Sequence, residues 1–381
     1  MNEFYLILVL LFLAFLGVET VLLQHALKRI PIRILVNGTR GKTTTTKILH
    51  QIFSQSNLLA FAKTTGDSPL MHAPDGSEQR IRRMGPARIT ENIKLLSRWA
   101  KEQPDAVLLE CMALHPENQF SLSRQIFRPN YVILTNLRSD HQEVMGKAAE
   151  QIAAVLYESF EPDAVKFIPA RLVREYALSA NFDHNVEQIG PQTFNGNFRN
   201  IPAEVIDESW SLVHHISAYF KLNMELARQV FEKYWKQIDD KLAVELSAFN
   251  AEFLNLFSLN DPETTEKFIN HLRQTRPEFR REIALLNLRH DRPLRTIQFS
   301  QLVKNIFPAG TLWITGNGGH LFKNRLDGHY KKNAAVEVLS LEEALNRIQN
   351  GFAQPTRVYG LANHKGTESF LSTLYEFEDQ T

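Results

Sequence analysis

The chain has very little cysteine and almost no net charge. Cys111 is the only cysteine among 381 residues, so no disulfide can form within the chain and a reducing compartment is expected. The formal net charge of +1 gives no electrostatic reason to expect nucleic acid as a partner. Hydrophobic residues make up 44% of the chain and charged residues 22%, which is typical of a folded protein. The length is sufficient for two globular domains and an appendage.

The N-terminus lacks a basic residue ahead of its apolar run. Glu3 is the only charged residue ahead of residues 4–18, which are apolar throughout, so a cleaved signal peptide is not expected. Glu19 and Thr20 interrupt the run before residues 21–23, and together these segments equal about one bilayer span. The pattern predicts a membrane anchor, with an interfacial helix or a helix buried in a partner protein as the alternatives.

Positive charges follow the apolar run. Lys28, Arg29 and Arg33 lie on its C-terminal side, and the positive-inside rule then places the rest of the chain in the cytosol. We therefore expect residues 1–28 to form a single-pass anchor in the cell membrane, with cytoplasmic catalytic domains.

A glycine turn followed by a Lys-Thr pair carries most of the functional information. The β-branched run 32–36 leads into the turn and a helix-like stretch follows it, which is the layout of a phosphate-binding loop. The Gly-x-x-Gly-Lys-Thr spacing is two residues shorter than that of the common Walker A loop. Lys42 is expected on the β- and γ-phosphates of a nucleotide, and the Thr43 hydroxyl on Mg²⁺. The predicted nucleotide-binding residues of this loop are Gly38, Thr39, Arg40, Gly41, Lys42, Thr43 and Thr44.

The loop sequence has an alternative interpretation, and its position in the chain has a consequence for the site. An ordinary strand–turn–helix connection with a surface lysine is the alternative to a nucleotide site. Because the loop begins soon after the predicted anchor, a nucleotide site there is expected close to the membrane surface.

Polar residues follow buried strand-like runs further along the chain. Residues 106–109 form such a run and end at Glu110, and residues 131–134 form another, followed shortly by Asp140 and His141. In a parallel α/β sheet, functional residues gather at the carboxyl ends of the strands. Glu110 and His141 are therefore expected at or near a Mg²⁺ site. A satisfied polar residue at the sheet edge is the alternative for each of them.

The second half of the chain predicts a renewed alternation of strands and helices. Residues 182–209 are loop-rich, residues 217–237 are helical, and a second alternating pattern begins near Phe249. The predicted strands of this second pattern cover residues 251–259, 282–288, 311–315 and 357–359. Polar residues again follow the strand ends, which predicts a second α/β domain.

The order of these features resembles the Mur-type amide ligases, a superfamily that includes the muramyl peptide ligases and the folylpolyglutamate synthases. The phosphate loop, the Glu110 strand end and the Asp140-His141 motif occur in the same order along the chain. The motifs of the second half that carry the resemblance are Asn260-Asp261-Pro262, similar to a His-Asn-Pro motif; Arg289-His290-Asp291-Arg292, similar to a Gly-Asp-Arg motif; and the glycine-containing strand end 360–366.

A narrower resemblance is to the ligase subunit of bacterial poly-γ-glutamate synthase, a family of capsule biosynthesis. That family also begins with one hydrophobic anchor. The resemblance covers nearly the whole chain and is loose between residues 181 and 250. The motifs that carry it are Asn37-Gly38, Arg40-Gly41-Lys42, Lys63-Thr64-Thr65-Gly66, Glu110-Cys111-Met112-Ala113, Asp140-His141-Gln142-Glu143-Val144-Met145-Gly146 and Val358-Tyr359-Gly360.

The resemblance implies an α/β fold with three parts. An N-terminal transmembrane helix (residues 1–28) precedes a Mur-ligase-like P-loop ATPase domain (residues 29–247) and a smaller Rossmann-like C-terminal domain (residues 248–381). The implied reaction is ATP-dependent amide formation, in which a carboxylate attacks the γ-phosphate and an amine then displaces phosphate from the acyl phosphate. Closure of the two domains would exclude water from that intermediate.

Roles for individual residues follow from the same resemblance. The implied catalytic residues are Lys42, His141, Arg289 and Asp291; the implied ligands of Mg²⁺ are Thr43, Glu110 and His141; and Asn260 and Asp261 would contact ATP from the second domain. Asp140 would fix the tautomer of His141.

The implied substrates are glutamate and a growing poly-γ-glutamate chain. The implied partners are the membrane and other membrane subunits of a polymer synthase and export complex, without nucleic acid. A basic stretch, comprising Arg80, Arg82, Arg83 and Arg88, is interpreted either as a path for this polyanion or as a solvated basic face.

The chain departs from the wider family in two ways. The muramyl ligases carry an extra N-terminal domain that holds a uridine-linked substrate, and here a membrane segment takes its place. The modified lysine that bridges metal ions in many Mur-type enzymes has no identified counterpart in this sequence.

Two other functions stay open at this point. One is a different amide ligase of the superfamily, of the folylpolyglutamate type, which the anchor and the 110–113 motif disfavour. The other is a membrane-tethered nucleotide-binding scaffold for an exporter, against which the intact set of Lys42, Thr43, Glu110 and His141 argues.

Overall fold

A computed structural model describes residues 2–65, 69–83, 85, 88–113, 115–137, 149–176, 185–279, 281–326, 328, 332 and 334–378. The chain divides into two compact units. Unit 1 comprises Met1–Phe194 and Asp207–Glu232, and unit 2 comprises Asn195–Ile206 and Lys233–Thr381. The sequence-based domain boundary at residues 247 and 248 stays a prediction.

The secondary structure alternates along most of the chain. The helices are α1 (Asn2–Lys28), α2 (Lys42–Gln55), α3 (Glu91–Trp99), α4 (Pro116–Phe120), α5 (Ala149–Glu158), α6 (Ala170–Glu175), α7 (Ala203–Tyr219), α8 (Met224–Leu242), α9 (Pro262–Thr275), α10 (Pro293–Ile306), α11 (Gly319–Arg325), α12 (Leu341–Gln349) and α13 (Glu368–Glu378). Short helical turns lie at Ala100–Glu102, Ser121–Phe127 and Ser247–Phe249.

The strands form two sheets, one in each unit. The strands are β1 (Ile32–Asn37), β2 (Ala60–Thr64), β3 (Leu70–His72), β4 (Glu78–Arg80), β5 (Ala106–Glu110), β6 (Tyr131–Leu134), β7 (Val165–Pro169), β8 (Val186–Ile189), β9 (Ala243–Leu246), β10 (Ala251–Asn255), β11 (Arg281–Asn287), β12 (Thr311–Thr315), β13 (Ala335–Val338) and β14 (Thr356–Leu361).

Unit 1 is built on a mixed sheet with the phosphate loop at its centre. Within the described residues this sheet is 8-stranded, in the order β4-β3-β2-β5-β1-β6-β7-β8. β1 pairs in parallel with β5 on one side and β6 on the other, whereas β3 and β4 form antiparallel pairs at one edge. Ile34, Leu35 and Val36 are buried, as expected for a central parallel strand covered on both faces. The carboxyl end of β1 therefore meets those of its two neighbours.

The C-terminal end of α1 belongs to the core of unit 1. Side chains 4–22 are exposed, but Leu23, Ala26, Leu27 and Ile30 are buried among the apolar residues of this core. The only described helix long and apolar enough to cross a membrane is α1, by length and composition alone. Its exposed part and its buried end thus have different surroundings.

Arg33 joins the end of α1 to the sheet. Its Nη1 donates to the carbonyls of Leu27 (3.2 Å) and Ile30 (2.7 Å), and its Nε donates to the Arg128 carbonyl (2.9 Å). A positive side chain at a helix C-terminus satisfies carbonyls that have no intrahelical partner and suits the helix dipole. The turn between α1 and β1 is therefore fixed on unit 1.

Unit 2 has its own α/β fold. In the described residues its sheet is 6-stranded, ordered β13-β12-β11-β14-β10-β9, with only β9 antiparallel to its neighbour. The inward faces of these strands bury Phe253, Ile283, Leu285, Trp313 and Val358 in one core. The α/β fold expected from the alternation of strands and helices is confirmed in both units.

Several local predictions were wrong in detail. One helix was expected over residues 217–237, but α7 and α8 are separate, because Lys221 has φ 54° and the Asn223 side chain accepts from the N–H groups of Glu225 and Leu226. The stretch 182–209, expected to be loop-rich, contains β8 and the start of α7. The β3/β4 hairpin was missed because its strands are three residues long and show no apolar alternation.

Candidate functional site

The predicted phosphate loop is a strand–loop–helix connection in the structure. β1 ends at Asn37, and α2 begins at Lys42 directly after Gly41, which has φ +79°. Gly38 has φ +127°, and a Cβ at this position would lie 2.3 Å from Thr135 Oγ1. Both conformations favour glycine, so the two glycines are required by the backbone. The helix N-terminus that follows presents N–H groups suited to a phosphate.

Residues at the end of β6 hold this loop in place. Asn136 Oδ1 accepts from the Arg40 N–H (2.8 Å) and from Thr39 Oγ1 (2.8 Å), and Thr39 N donates to the Asn136 carbonyl (3.1 Å). Thr135 Oγ1 donates to the carbonyls of Asn37 and Arg40. Thr135 and Asn136 were not among the site residues predicted from the sequence. They act as positioning residues for the loop.

The side chain of Lys42 folds back over the phosphate loop. Its Nζ donates to the carbonyls of Gly38 (2.6 Å) and Thr39 (3.3 Å). The ammonium is therefore placed at the mouth of the glycine turn, where the phosphates of a nucleotide are expected.

Glu110 is brought to the loop by the pairing of β5 with β1. Thr43 Oγ1 lies 2.9 Å and 3.0 Å from the two carboxylate oxygens of Glu110, and Thr65 N donates to Oε2 (2.7 Å). The carboxylate is 5% exposed. The hydroxyl of Thr43 and the buried carboxylate of Glu110 thus meet at the start of α2, and their role as metal ligands stays a prediction.

This pair of oxygen donors fits a hard divalent cation. Mg²⁺ is typically bound through one or two carboxylates plus water and substrate phosphates, rather than by a complete protein cage. Accordingly, the described part of the chain contains no cluster of three or more His, Cys, Asp or Glu side chains able to hold a metal alone. His141, the third predicted ligand, and Asp140 lie outside the described residues.

The predicted residues of unit 2 cluster at the carboxyl ends of its strands. Arg289 and Asp291 form a bidentate ion pair, with Nε–Oδ1 at 2.9 Å and Nη2–Oδ2 at 2.6 Å. Hydrogen bonding from Arg289 lowers the pKa of Asp291. Asp261 caps α9, since its Oδ1 accepts from Thr264 N and Thr264 Oγ1, both at 2.8 Å. Asp261 therefore has a structural role whatever else it binds.

Arg295 connects two of these strand ends and was missed from the sequence. Its Nη1 donates to Asn260 Oδ1 (3.1 Å) and Asn363 Oδ1 (2.8 Å), and Asn363 Nδ2 donates to the Asn287 carbonyl (2.8 Å). The predicted Asn260 thus belongs to a polar network with Arg295, Asn363 and Asn287. No periodic signal marks Arg295 because its partners are distant in sequence.

Comparison with known families finds matches over both halves of the chain. The Mur ligase middle domain matches residues 36–227, and the poly-gamma-glutamate synthase CapB C-terminal domain matches residues 244–376. The first match contains the phosphate loop and Glu110, and the second contains the strand-end cluster of unit 2.

Two relatives are similar over most of their length. PGA synthase CapB of Bacillus subtilis (strain 168) is 22% identical over 378 residues, covering 93% of this chain and 93% of that protein. Capsule biosynthesis protein CapB of Bacillus anthracis is 25% identical over 368 residues, covering 93% of this chain and 78% of that protein.

Solved structures share the fold. E. coli FolC in complex with ADP has a TM-score of 0.62 at 12% identity, covering 95% of this chain and 92–93% of the FolC chains compared. The bifunctional folylpolyglutamate synthase/dihydrofolate synthase of Yersinia pestis, complexed with AMPPNP and Mn ion, has a TM-score of 0.61 at 13% identity, covering 94% of this chain and 91% of that one.

Proposed function

This chain belongs to the Mur ligase family, and on that premise we propose that it is an ATP-dependent amide ligase that extends poly-γ-glutamate. The observation that carries the proposal is a phosphate loop with Thr43 and Glu110 at its helix end, in a chain whose residues 244–376 match the poly-gamma-glutamate synthase CapB C-terminal domain. The name of the Bacillus subtilis relative, PGA synthase CapB, and that of the matching C-terminal domain support glutamate as the monomer.

The proposed first step joins two anions. A terminal carboxylate oxygen of the polymer attacks the γ-phosphorus of ATP, the bond to the β–γ bridging oxygen breaks, and ADP leaves. Lys42 and the N–H groups at the start of α2 would hold the transferring phosphoryl group and offset its charge. A divalent cation, which we propose to be Mg²⁺, would supply further neutralisation there, held by Thr43 and Glu110.

The proposed second step forms the amide. The amine of free glutamate attacks the carbonyl carbon of the acyl phosphate, and inorganic phosphate leaves as the carbon–nitrogen bond forms. His141, Arg289 and Asp291 are proposed as catalytic residues, and Asn260 and Asp261 as nucleotide contacts. These roles stay predictions from the family resemblance.

The proposed location is the inner face of the cell membrane. The exposed side chains 4–22 of α1 support a spanning segment, and Lys28, Arg29 and Arg33 after it support a cytoplasmic position for both units. The proposed partners are further membrane subunits of a synthase and export complex, because a polymer made inside the cell must cross the membrane.

One assay separates the proposed function from its two alternatives. The full-length chain in detergent is given ATP, Mg²⁺ and a short γ-glutamyl acceptor, and ADP release and product mass are followed with and without glutamate. We expect glutamate-dependent ADP release and a product longer by one unit. A requirement for a folate acceptor would favour the folylpolyglutamate-type alternative, and glutamate-independent ADP release without product would favour the scaffold.

Lys42→Ala is the decisive variant in this assay. Loss of the ammonium at the phosphates should lower ADP release about 10²- to 10³-fold, by analogy with the removal of one charge-stabilising donor. Melting temperature should be unchanged, and Lys101→Ala, an exposed lysine elsewhere in unit 1, is the control. Retention of more than about a tenth of the activity, a barrier change below about 1.4 kcal/mol, would contradict the assignment.

A further inference from the structure

The β3/β4 hairpin carries the basic stretch to the same edge of the sheet as the phosphate loop. Arg80 pairs with Leu70, and Leu70 pairs with Thr64 at the end of β2. The next residue, Thr65, donates its N–H to Glu110. Arg80 therefore lies in the row of residues that leads across the sheet to Glu110. The three strand spacings from β5 to β4 place it about 14 Å away.

A partly buried ion-pair network fastens the segment after β4 to the sheet. Arg83 donates to both carboxylate oxygens of Glu91, from Nε (2.9 Å) and Nη2 (2.6 Å). Lys63 on β2 donates from Nζ to the same carboxylate and to Asn92 Oδ1 (2.6 Å). The Lys63 side chain is 1% exposed. Glu91 thus links Arg83 to a fully buried lysine.

This arrangement fixes the position of the segment that bears the arginines. Burying a lysine charge is costly, and the cost is offset only when the charge is paired and hydrogen-bonded. Burial lowers the pKa of Lys63, and the pairing with Glu91 opposes that shift. Here the backbone that bears the arginines is fixed to β2 and α3.

The remaining arginines of the stretch face solvent without acidic partners. Arg80, Arg82 and Arg88 are exposed and form no ion pair with any residue that the structure describes. Of the hairpin's two acidic residues, Glu78 is engaged by Lys47 (3.1 Å) and His72 (3.2 Å), and Asp75 lies in the turn, where its Oδ1 accepts from Ser77 N (2.9 Å). These three arginines therefore have no ion-pair partner among the described residues, and Arg80 lies about 14 Å from Glu110.

We propose that Arg80, Arg82 and Arg88 bind the α-carboxylates of the growing polymer behind its reacting end. This inference rests on the proposed function. In a γ-linked chain every unit keeps its α-carboxylate, so the occupant is a regular polyanion that matches the charge of this surface. The reacting carboxylate must lie at the phosphate loop, and the units behind it must continue over the neighbouring surface.

The reach of the polymer sets which units are bound. A γ-linked unit spans roughly 6 Å, from about 3.5 Å for an α-linked residue plus two further carbon–carbon bonds. The distance of about 14 Å then corresponds to roughly two to three units behind the reacting end. Acceptors shorter than this would not reach the arginines.

The test compares acceptors of different length. Synthetic γ-glutamyl oligomers of one to six units are used as acceptors for the full-length chain in detergent, with saturating ATP and glutamate, and KM is measured for each length. The variant is Arg80→Gln/Arg82→Gln. The matched control, Lys94→Gln/Arg98→Gln, removes the same charge from exposed positions on α3 of unit 1.

We expect KM of the unaltered chain to fall once the acceptor exceeds two to three units, and to fall less at high salt because exposed charge pairs are screened. In Arg80→Gln/Arg82→Gln, KM for the longest acceptor should rise about fivefold, with two exposed pairs at about 0.5 kcal/mol each. KM for the shortest acceptor and the affinity for ATP should not change, and the control should behave as the unaltered chain.

Three results would overturn this inference. Identical length profiles for the variant and the unaltered chain would make the stretch a solvated basic face and leave the proposed function intact. An equal rise in KM for the control variant would also contradict the inference, because the rise would then come from the lower overall positive charge and not from these positions. Absence of any glutamate-dependent ADP release from the unaltered chain would overturn the proposed function, and the inference with it.

Discussion

Glu110 accepts hydrogen bonds from Thr43 and Thr65 and is the one acidic side chain that the described structure places at the phosphate loop. Glu110→Gln keeps the shape of the side chain and its acceptor oxygen but removes the charge that a divalent cation requires. The apparent dissociation constant for Mg²⁺ should rise about tenfold or more, the scale seen when metal-site groups are altered. A metal titration of ADP release at saturating ATP measures it.

Thr43→Ser is the control for that variant because it keeps the hydroxyl at the carboxylate. It should leave the Mg²⁺ titration close to that of the unaltered chain. An unchanged titration in Glu110→Gln would make Glu110 a structural residue that only positions the ends of β2 and α2.

The loop residues themselves could be predicted because their signal is local. A buried β-branched run, two glycines and a Lys-Thr pair lie within a dozen positions, and Gly38 and Gly41 indeed adopt positive φ. The supporting contacts from Thr135 and Asn136 could not be predicted. They depend on β6 pairing with β1, a contact between segments almost one hundred residues apart.

At the scale of elements, a buried histidine between α2 and β2 makes unit 1 sensitive to acid. His50 lies on α2, and its Nε2 donates to the Ala60 carbonyl (3.1 Å) on β2. Burial lowers the pKa of His50 from 6.5 to about 4, and the nearby His72 contributes a smaller part of this shift. The folded state therefore holds this imidazole neutral over a range in which the unfolded chain protonates it.

The sign of the pH effect follows from that difference. Between about pH 6.5 and pH 4 the unfolded state binds more protons, so stability is fully present above pH 6.5 and is lost as the pH falls. We expect the unfolding free energy to drop by about 2 kcal/mol between pH 7 and pH 5 from His50 alone. Burial lowers the pKa of His72 as well, which acts in the same direction.

Urea unfolding at the two pH values measures this loss. His50→Gln keeps a donor for the Ala60 carbonyl and cannot titrate, so its unfolding free energy should depend less on pH. His115→Gln, at an exposed histidine, should behave as the unaltered chain. A pH dependence that is the same in His50→Gln and His115→Gln would contradict the assignment.

The two parts of α1 predict different effects of truncation. Deleting residues 2–21 removes the exposed side chains 4–21, whereas deleting residues 2–27 also removes Leu23, Ala26 and Leu27 from the core of unit 1. The longer deletion should cost about 4 kcal/mol more, from two buried leucines at about 1.5–3 kcal/mol each and a smaller term for the alanine. It also leaves Arg33 without the Leu27 carbonyl.

Denaturant unfolding of the two truncated proteins tests this difference, with intrinsic tryptophan fluorescence as the signal. Equal unfolding free energies would show that the end of α1 contributes nothing to the core. The sequence could not separate these two parts, because an apolar run looks the same whether lipid or protein covers it.

The role of the basic stretch at the β3/β4 hairpin could not be decided from the sequence for a similar reason. The sequence showed four arginines and left two interpretations open, since nothing local indicated that Glu91 would join Arg83 to Lys63. Residues that act through contacts far apart in sequence, here and at Arg295 in unit 2, become visible only once the sheets are assembled.

At the scale of the whole molecule, nucleotide binding and polymer production should separate when the exposed part of α1 is removed. The chain lacking residues 2–21 keeps the phosphate loop, both sheets and the buried end of α1, so its affinity for ATP should be unchanged. Polymer yield in cells should fall much further, because tethering near membrane partners raises their effective concentration, up to the mM range.

ATP affinity of the purified proteins and polymer yield in cells are compared for the truncated and full-length chains. A heterologous transmembrane helix fused ahead of residue 22 is the control, and it should restore part of the yield. Full polymer yield from the truncated chain would show that membrane placement is dispensable and would favour a soluble ligase.

The attachment of α1 to unit 1 has a mechanical consequence. Leu23, Ala26, Leu27 and Ile30 are packed in the core and Arg33 closes the turn, so the exposed part of the helix has no hinge where it leaves the unit. Residues 4–22 extend about 28 Å as a helix, and a rotation of unit 1 by about 10° would move the far end by about 5 Å. In a membrane-inserted chain, a rotation of unit 1 would therefore change the tilt of α1 in the bilayer. Helices packed against α1 would experience that change of tilt.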